Sequence, residues 1–131
     1  MGEWYYYTLD LIHNGILNTV AIVRLDGKKW ILSPGCYLYK EEIETIYSAL
    51  TQKSINVRLS YQRREFGVIN NDEMLMVAHS TSNNNDAPQE ILCAAKTRQF
   101  VVICTATFSG DDGKCKIETQ RLREHIKGQG L

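Results

Sequence analysis

The stretch TVAIVRLDGKKWIL, residues 19–32, reads as two strands joined by a tight turn. Thr19 to Leu25 is rich in β-branched residues and Lys28 to Leu32 follows. Asp26-Gly27 between them is the pair a two-residue hairpin turn selects, because that turn needs positive φ. The two segments are therefore predicted to be antiparallel neighbours. Pro34-Gly35 ends the second strand, and Ile43, Ile46, Tyr47 and Leu50 then recur at i, i+3, i+4 and i+7, which predicts an amphipathic helix from about Lys40 to Leu50. Upstream, residues 3–13 show helical spacing on two stripes. Tyr5, Leu9 and Ile12 offer one, for the core, and Trp4, Tyr7 and Leu11 form another beside it. Asn14-Gly15 supplies the helix stop, since both residues tolerate the left-handed conformation.

Downstream, Ile55, Val57, Leu59 and Tyr61 alternate with polar residues, as a strand with one buried face requires. Phe66 to Ile69 and Met74 to His79 read as a hairpin around Asn70-Asn71-Asp72-Glu73. Ser80 to Pro88, STSNNNDAP, is polar and turn-rich and is expected to be an exposed loop between strands. Ile91 to Lys96 and Gln99 to Phe108 meet at a tight turn near Thr97-Arg98. The second of these is almost continuously apolar, as a central strand covered on both faces is. After the acidic turn Ser109 to Gly113, residues 114–127 carry Cys115, Leu122 and Ile126 on one helical face, with Gly128 placed to end the helix. Turns this short cannot make parallel crossovers. The expected fold is α+β, a central antiparallel sheet with the N- and C-terminal helices on one face and the middle helix on the other.

A chain of 131 residues suits one domain, taken as 1–131, with 44% apolar and 23% charged residues marking an ordinary globular protein. Lysine plus arginine balance aspartate plus glutamate at 15 each, so no global field draws the molecule to nucleic acid or acidic lipid. No apolar run approaches the length that crosses a bilayer, and the start, Met1 to Tyr7, suggests neither export nor anchoring. Cys36, Cys93, Cys104 and Cys115 form no CxxC pair and have no histidine at zinc-like spacing, so they read as reduced thiols, with no metal expected. A nucleophile elbow and a Gly-rich phosphate loop are both missing, and Gly110-Asp111-Asp112-Gly113 lacks the further ligands of a calcium loop. No catalytic residue and no cofactor is expected. A non-enzymatic reading is a small α/β scaffold module of a signalling or trafficking complex.

The order of elements resembles profilins. That family opens with a short helix carrying Trp and Tyr three apart, continues into an A-I-V strand and a tryptophan after a turn, and closes on a helix. Here these are Trp4 and Tyr7, Val20-Ala21-Ile22-Val23, Trp30, and the ending Arg121 to Leu131. The ending RLREHIKGQGL is similar to the R-L-x-x-Y-L-x-x-Q-G-L close of plant-type profilins, and Ala95-Lys96-Thr97 resembles a family hairpin. The resemblance runs through the whole chain in order.

It implies a monomeric protein of the cytoplasm and cytoskeleton that regulates actin polymerisation by binding monomeric actin. The partners implied beside actin are proline-rich proteins such as filament nucleation and elongation factors. Polyproline II segments offer ring edges and free carbonyls, so their receptor wants aromatic slots with N–H or O–H donors. By resemblance the poly-proline groove is Trp4, Tyr7, Trp30, His125 and Leu131, with Ile126 beside it. The implied actin surface lies on the opposite side, with Arg58, Arg63, Arg64, Lys114 and Lys116 as its basic candidates. Asn70 stands where the family often has an arginine. Polyphosphoinositide lipids are a further implied ligand, through Gln62-Arg63-Arg64, weakly and in a salt-sensitive way.

Overall fold

The computed structural model describes residues 2–26, 28–72, 74–81, 89–108 and 113–130, with the backbone alone at 2–5, 29 and 30. In chain order the elements are α1 (Gly2–His13), β1 (Thr19–Arg24), β2 (Lys29–Leu32), α2 (Lys40–Gln52), β3 (Arg58–Tyr61), β4 (Arg64–Asn71), β5 (Met76–Ser80), β6 (Glu90–Lys96), β7 (Phe100–Thr107) and α3 (Gly113–Gly128). The strands form one sheet in the order β2-β1-β7-β6-β5-β4-β3, and each neighbouring pair is antiparallel. The loop expected at Ser80 to Pro88 lies largely outside the described residues, as does most of the acidic turn before α3.

Strand alternation divides the core into two layers. Val20, Ile22, Val77, Ile91, Cys93, Val102 and Cys104 face α1 and α3, where they meet Leu11, Cys115, Leu122 and Ile126. Ala21, Val23, Met76, Ala78, Leu92, Ala94, Val101 and Ile103 face α2, where they meet Ile43, Ile46 and Leu50. Strand β7 is buried from Phe100 to Ala106, as its apolar run requires of a central strand. All four cysteines are free and buried. The sheet is strongly curled: the Tyr61 hydroxyl on edge strand β3 comes within 2.9 Å of Thr19 Oγ1 on β1, at the far side of the sheet.

Two connections depend on tertiary partners. Gln62 and Arg63 join β3 to β4 with φ of 53° and 65°, the left-handed pair of a tight hairpin, without a glycine or asparagine to favour it. The Glu42 carboxylate holds this turn, accepting from the Arg63 backbone N–H at 3.2 Å and the Ser60 hydroxyl at 2.9 Å. Its other oxygen accepts from the Tyr39 N–H at 3.2 Å, capping the start of α2. At the other end of α2, Asn71 is a cap and not a turn residue. It is buried and donates to the carbonyls of Ala49 at 2.8 Å and Ser54 at 2.9 Å. The β4–β5 turn instead starts at Asp72, whose Oδ1 accepts from the N–H groups of Met74 at 3.0 Å and Leu75 at 2.9 Å.

Helix α1 stops at His13, and Gly15 follows in the left-handed conformation with φ 72°, as Asn14-Gly15 predicts. Its inward face differs from the expected stripe. Thr8 and Leu11 are buried while Leu9 and Ile12 are half-buried. The helix lies on the sheet beside α3, so its Thr8–Leu11 line points down and the residues flanking that line share the edges.

Candidate functional site

The α1–α3 seam carries the first candidate surface. Tyr7 from α1 and Ile117, Gln120, Arg121, Glu124 and His125 from α3 line a shallow depression of about 530 Å³. The α3 residues recur at helical spacing on the side away from Cys115, Leu122 and Ile126, which are buried. Ile117 is an exposed large hydrophobic residue at 49%. The floor is polar. Glu118, 7% exposed, accepts from the Tyr7 hydroxyl at 2.5 Å through Oε2, and Arg121 Nη1 donates to its Oε1 at 2.9 Å. Burial first, and then the bond to Glu118, push the Tyr7 phenol above its ordinary value, while Arg121 pulls the other way.

Of the residues expected at the groove, Tyr7 and His125 are brought together. Trp4 sits on α1 and Trp30 on β2, but their side chains and the whole of Leu131 lie outside the described residues. Ile126 is a correction. It is fully buried in the layer between α3 and the sheet, so it anchors the helix and offers a ligand no surface. Ile117, Gln120, Arg121 and Glu124 were not foreseen, although the stripe left over by the apolar face of α3 contains all four.

The second candidate surface is more scattered. Arg58, on edge strand β3, pairs at 3.4 Å with Glu65, with both side chains half or more exposed, an arrangement that contributes little to stability. Arg63 stands at the β3–β4 turn with its guanidinium 5.3 Å from the centre of the Tyr39 ring, and it donates to the Tyr39 hydroxyl. Arg64, expected among the basic residues of the actin surface, is a correction, because most of its side chain is turned into the sheet edge and paired. Its side chain is 21% exposed, 2.5 Å from Glu90 and 3.2 Å from Ser80 Oγ. Glu90 also accepts from Asn18 Nδ2 at 2.9 Å. Arg64 is thus a strut across β4, β5 and β6. Lys114 and Lys116 lie in the first turn of α3, the former exposed and the latter half-buried.

Apolar side chains join the β3–β4 edge. Ile55 and Ile69 are 55% and 54% exposed, and backbone bonds between Asn56 and Val68 and between Val68 and Val57 draw their segments together. The sequence hinted at one of them: Ile55 fits the alternating pattern of Leu59 and Tyr61, but it lies just outside β3. Among the described residues no group of three or more metal-ligating side chains forms, and no described helix is long and apolar enough to cross a membrane.

Compared with known proteins, residues 2–131 match the family model described as Profilin. The fold is similar to that of Acanthamoeba castellanii profilin IA, with a TM-score of 0.77 at 18% identity over 98% of this chain and 99% of that one. Rat profilin 2a gives a TM-score of 0.79 at 15% identity over 99% of this chain and 98% of that chain. Mouse profilin IIa in complex with a double repeat from the FH1 domain of mDia1 gives 0.76 at 17%, over 98% and 99%. A sequence search of curated proteins gives no match.

Proposed function

Because the chain belongs to the profilin family through the match over residues 2–131, we propose that it binds monomeric actin on one surface and proline-rich segments of partner proteins on another. The observation that carries the second half is the convergence of Tyr7 and His125 on one depression between α1 and α3. A polyproline II helix is rigid before binding and loses little entropy when it docks on flat rings, so a shallow aromatic surface suits it. The mouse relative in complex with an FH1 repeat supports this reading.

Actin binding is assigned to the β3–β4 edge and the start of α3, with Arg58, Arg63, Lys114 and Lys116 as charges and Ile55 and Ile69 as apolar contacts. Arg64 contributes indirectly, by fixing the strands. Groove and actin surface are separate, so one molecule holds an actin monomer while a nucleation or elongation factor holds the molecule. Tethering then raises the local actin concentration at a growing filament end. The protein acts in this reading as a cytoplasmic monomer without catalysis. Polyphosphoinositide binding at Gln62 to Arg64 is weak, because Arg63 and Arg64 are already engaged with Tyr39, Glu90 and Ser80.

Tryptophan fluorescence during titration with a poly-proline peptide tests the groove, since Trp4 and Trp30 are the two tryptophans of the chain. A saturable change is expected. A folded protein that shows no change contradicts the proposal.

A further inference from the structure

The other flank of α3 carries a second recess, and its chemistry is basic. Arg123 and Lys127 stand one turn apart on the side of the helix away from the Tyr7 seam, and the β6–β7 turn brings Arg98 up to meet them. With Met74 they enclose about 420 Å³. The turn is fixed from within, because the Thr97 N–H donates to the Phe100 carbonyl at 2.8 Å and Thr97 Oγ1 accepts from the Phe100 N–H at 3.0 Å. Arg123 ties helix to turn: its side chain is 11% exposed, with Nε donating to the Lys96 carbonyl at 2.8 Å and Nη1 to Glu124 at 2.6 Å. Arg98 and Lys127 are exposed. Among the described residues neither has a carboxylate partner, and no carboxylate lines the recess. Lys96 adds to the field, with its ammonium 5.9 Å from the centre of the Tyr47 ring.

The recess continues the groove over the top of α3. Glu124 lines the groove, Arg123 lines the recess, and the two are bonded to each other. A helix is about 10–12 Å across, so an extended chain gaining about 3.1 Å per residue crosses it in about three to four residues. Two features oppose an anion here, the carbonyl end of α3 and the Glu124 carboxylate. Arg123 neutralises the second, and the Lys127 charge in the last turn offsets the first. A flat bilayer fits this place poorly, because the unpaired cations flank a concavity on a chain of zero net charge. A single acidic side chain fits it, with its methylenes against half-exposed Met74.

Resting on the proline-binding reading above, we propose that this recess reads an acidic residue flanking the partner's proline-rich segment, with Arg98 and Lys127 as the cations that contact it. The groove sets the class of ligand, and the recess selects among its members.

The test titrates the full chain with a plain poly-proline peptide and with peptides carrying a glutamate pair about three to four residues beyond the prolines, at either end, each beside a glutamine twin. At low salt one glutamate peptide is expected to bind about fivefold tighter than its twin, the worth of one or two partly exposed ion pairs. High salt shrinks that gain. The double variant Arg98→Glu/Lys127→Glu is expected to hold plain poly-proline within about twofold of the natural chain and to prefer a lysine flank to a glutamate flank. The inference is overturned if glutamate and glutamine peptides bind alike at both ends, or if the double variant keeps the glutamate preference. Vesicles containing polyphosphorylated inositol lipid provide the last arm. Vesicle binding that the double variant loses, with no flank preference in the peptides, assigns the recess to a lipid headgroup and also overturns the inference. Failure of the natural protein to bind plain poly-proline refutes the functional reading itself, whereas plain binding without a flank preference refutes the inference alone.

Discussion

Replacing Ile126 with alanine separates a core residue from a groove residue. Ile126 is fully buried in the layer with Leu11, Val102, Cys104 and Leu122. Truncation removes three carbons, worth about 2.4 kcal/mol at about 0.8 kcal/mol per buried methylene. The cavity left between a helix and a sheet that cannot fully collapse brings the loss to about 3.5 kcal/mol. At about 2.1 cal/mol/K of unfolding entropy per residue, a chain of 131 residues loses about 13 °C in Tm. Ile126→Val, which removes one methylene, loses about 1 kcal/mol, or about 4 °C. Circular dichroism melts and urea titrations measure both, and peptide affinity is read at a temperature where each variant is folded. The expected outcome is a large stability loss with affinity kept within about threefold. A loss below about 1 kcal/mol with poly-proline binding abolished refutes the burial argument.

Arg63→Glu is expected to weaken binding of fluorescently labelled monomeric actin about tenfold, while Tm stays within a few degrees because an exposed charge contributes little to stability; unchanged affinity would move the actin site elsewhere. Glu42→Ala removes the α2 cap and both bonds to the β3–β4 turn, so a loss of about 2–3 kcal/mol in urea unfolding is expected. A loss under about 0.5 kcal/mol would mean the turn holds itself. Alkaline pH is expected to destabilise the fold. Burial raises the Cys104 thiol, the Tyr61 phenol and, with Glu118, the Tyr7 phenol. The folded chain therefore holds these protons more tightly than the unfolded one, and stability falls as pH rises from the ordinary thiol value of 9.0 through the ordinary phenol value of 10.0. A urea midpoint that is the same at pH 8 and pH 10.5 contradicts that sign.

Much of the fold is legible locally. Asp26-Gly27 announces the first hairpin, the spacing of Ile43, Ile46 and Leu50 announces α2, and the apolar run of β7 places it centrally. Most of the failures share a cause, in that they depend on a partner distant in sequence. Gln62-Arg63 carries no hairpin signature because Glu42, on another element, supplies the hold. Asn71 looks like a turn residue, and its capping role appears only once the end of α2 lies against β4. Arg64 looks like surface charge until Glu90 is brought beside it by the sheet. Ile126 falls on the apolar face of α3 with Cys115 and Leu122, a pattern that already argued for burial against its place in the groove. The Tyr7–Glu118–Arg121 cluster spans two helices at opposite ends of the chain, and no local pattern announces it.

The most direct test of two separate binding surfaces is analytical ultracentrifugation of the protein mixed with monomeric actin and a labelled poly-proline peptide. The account predicts that labelled peptide co-sediments with a one-to-one complex of protein and actin, and that actin changes peptide affinity by less than about threefold. Displacement of the peptide by actin, or binding of only one of the two, contradicts it.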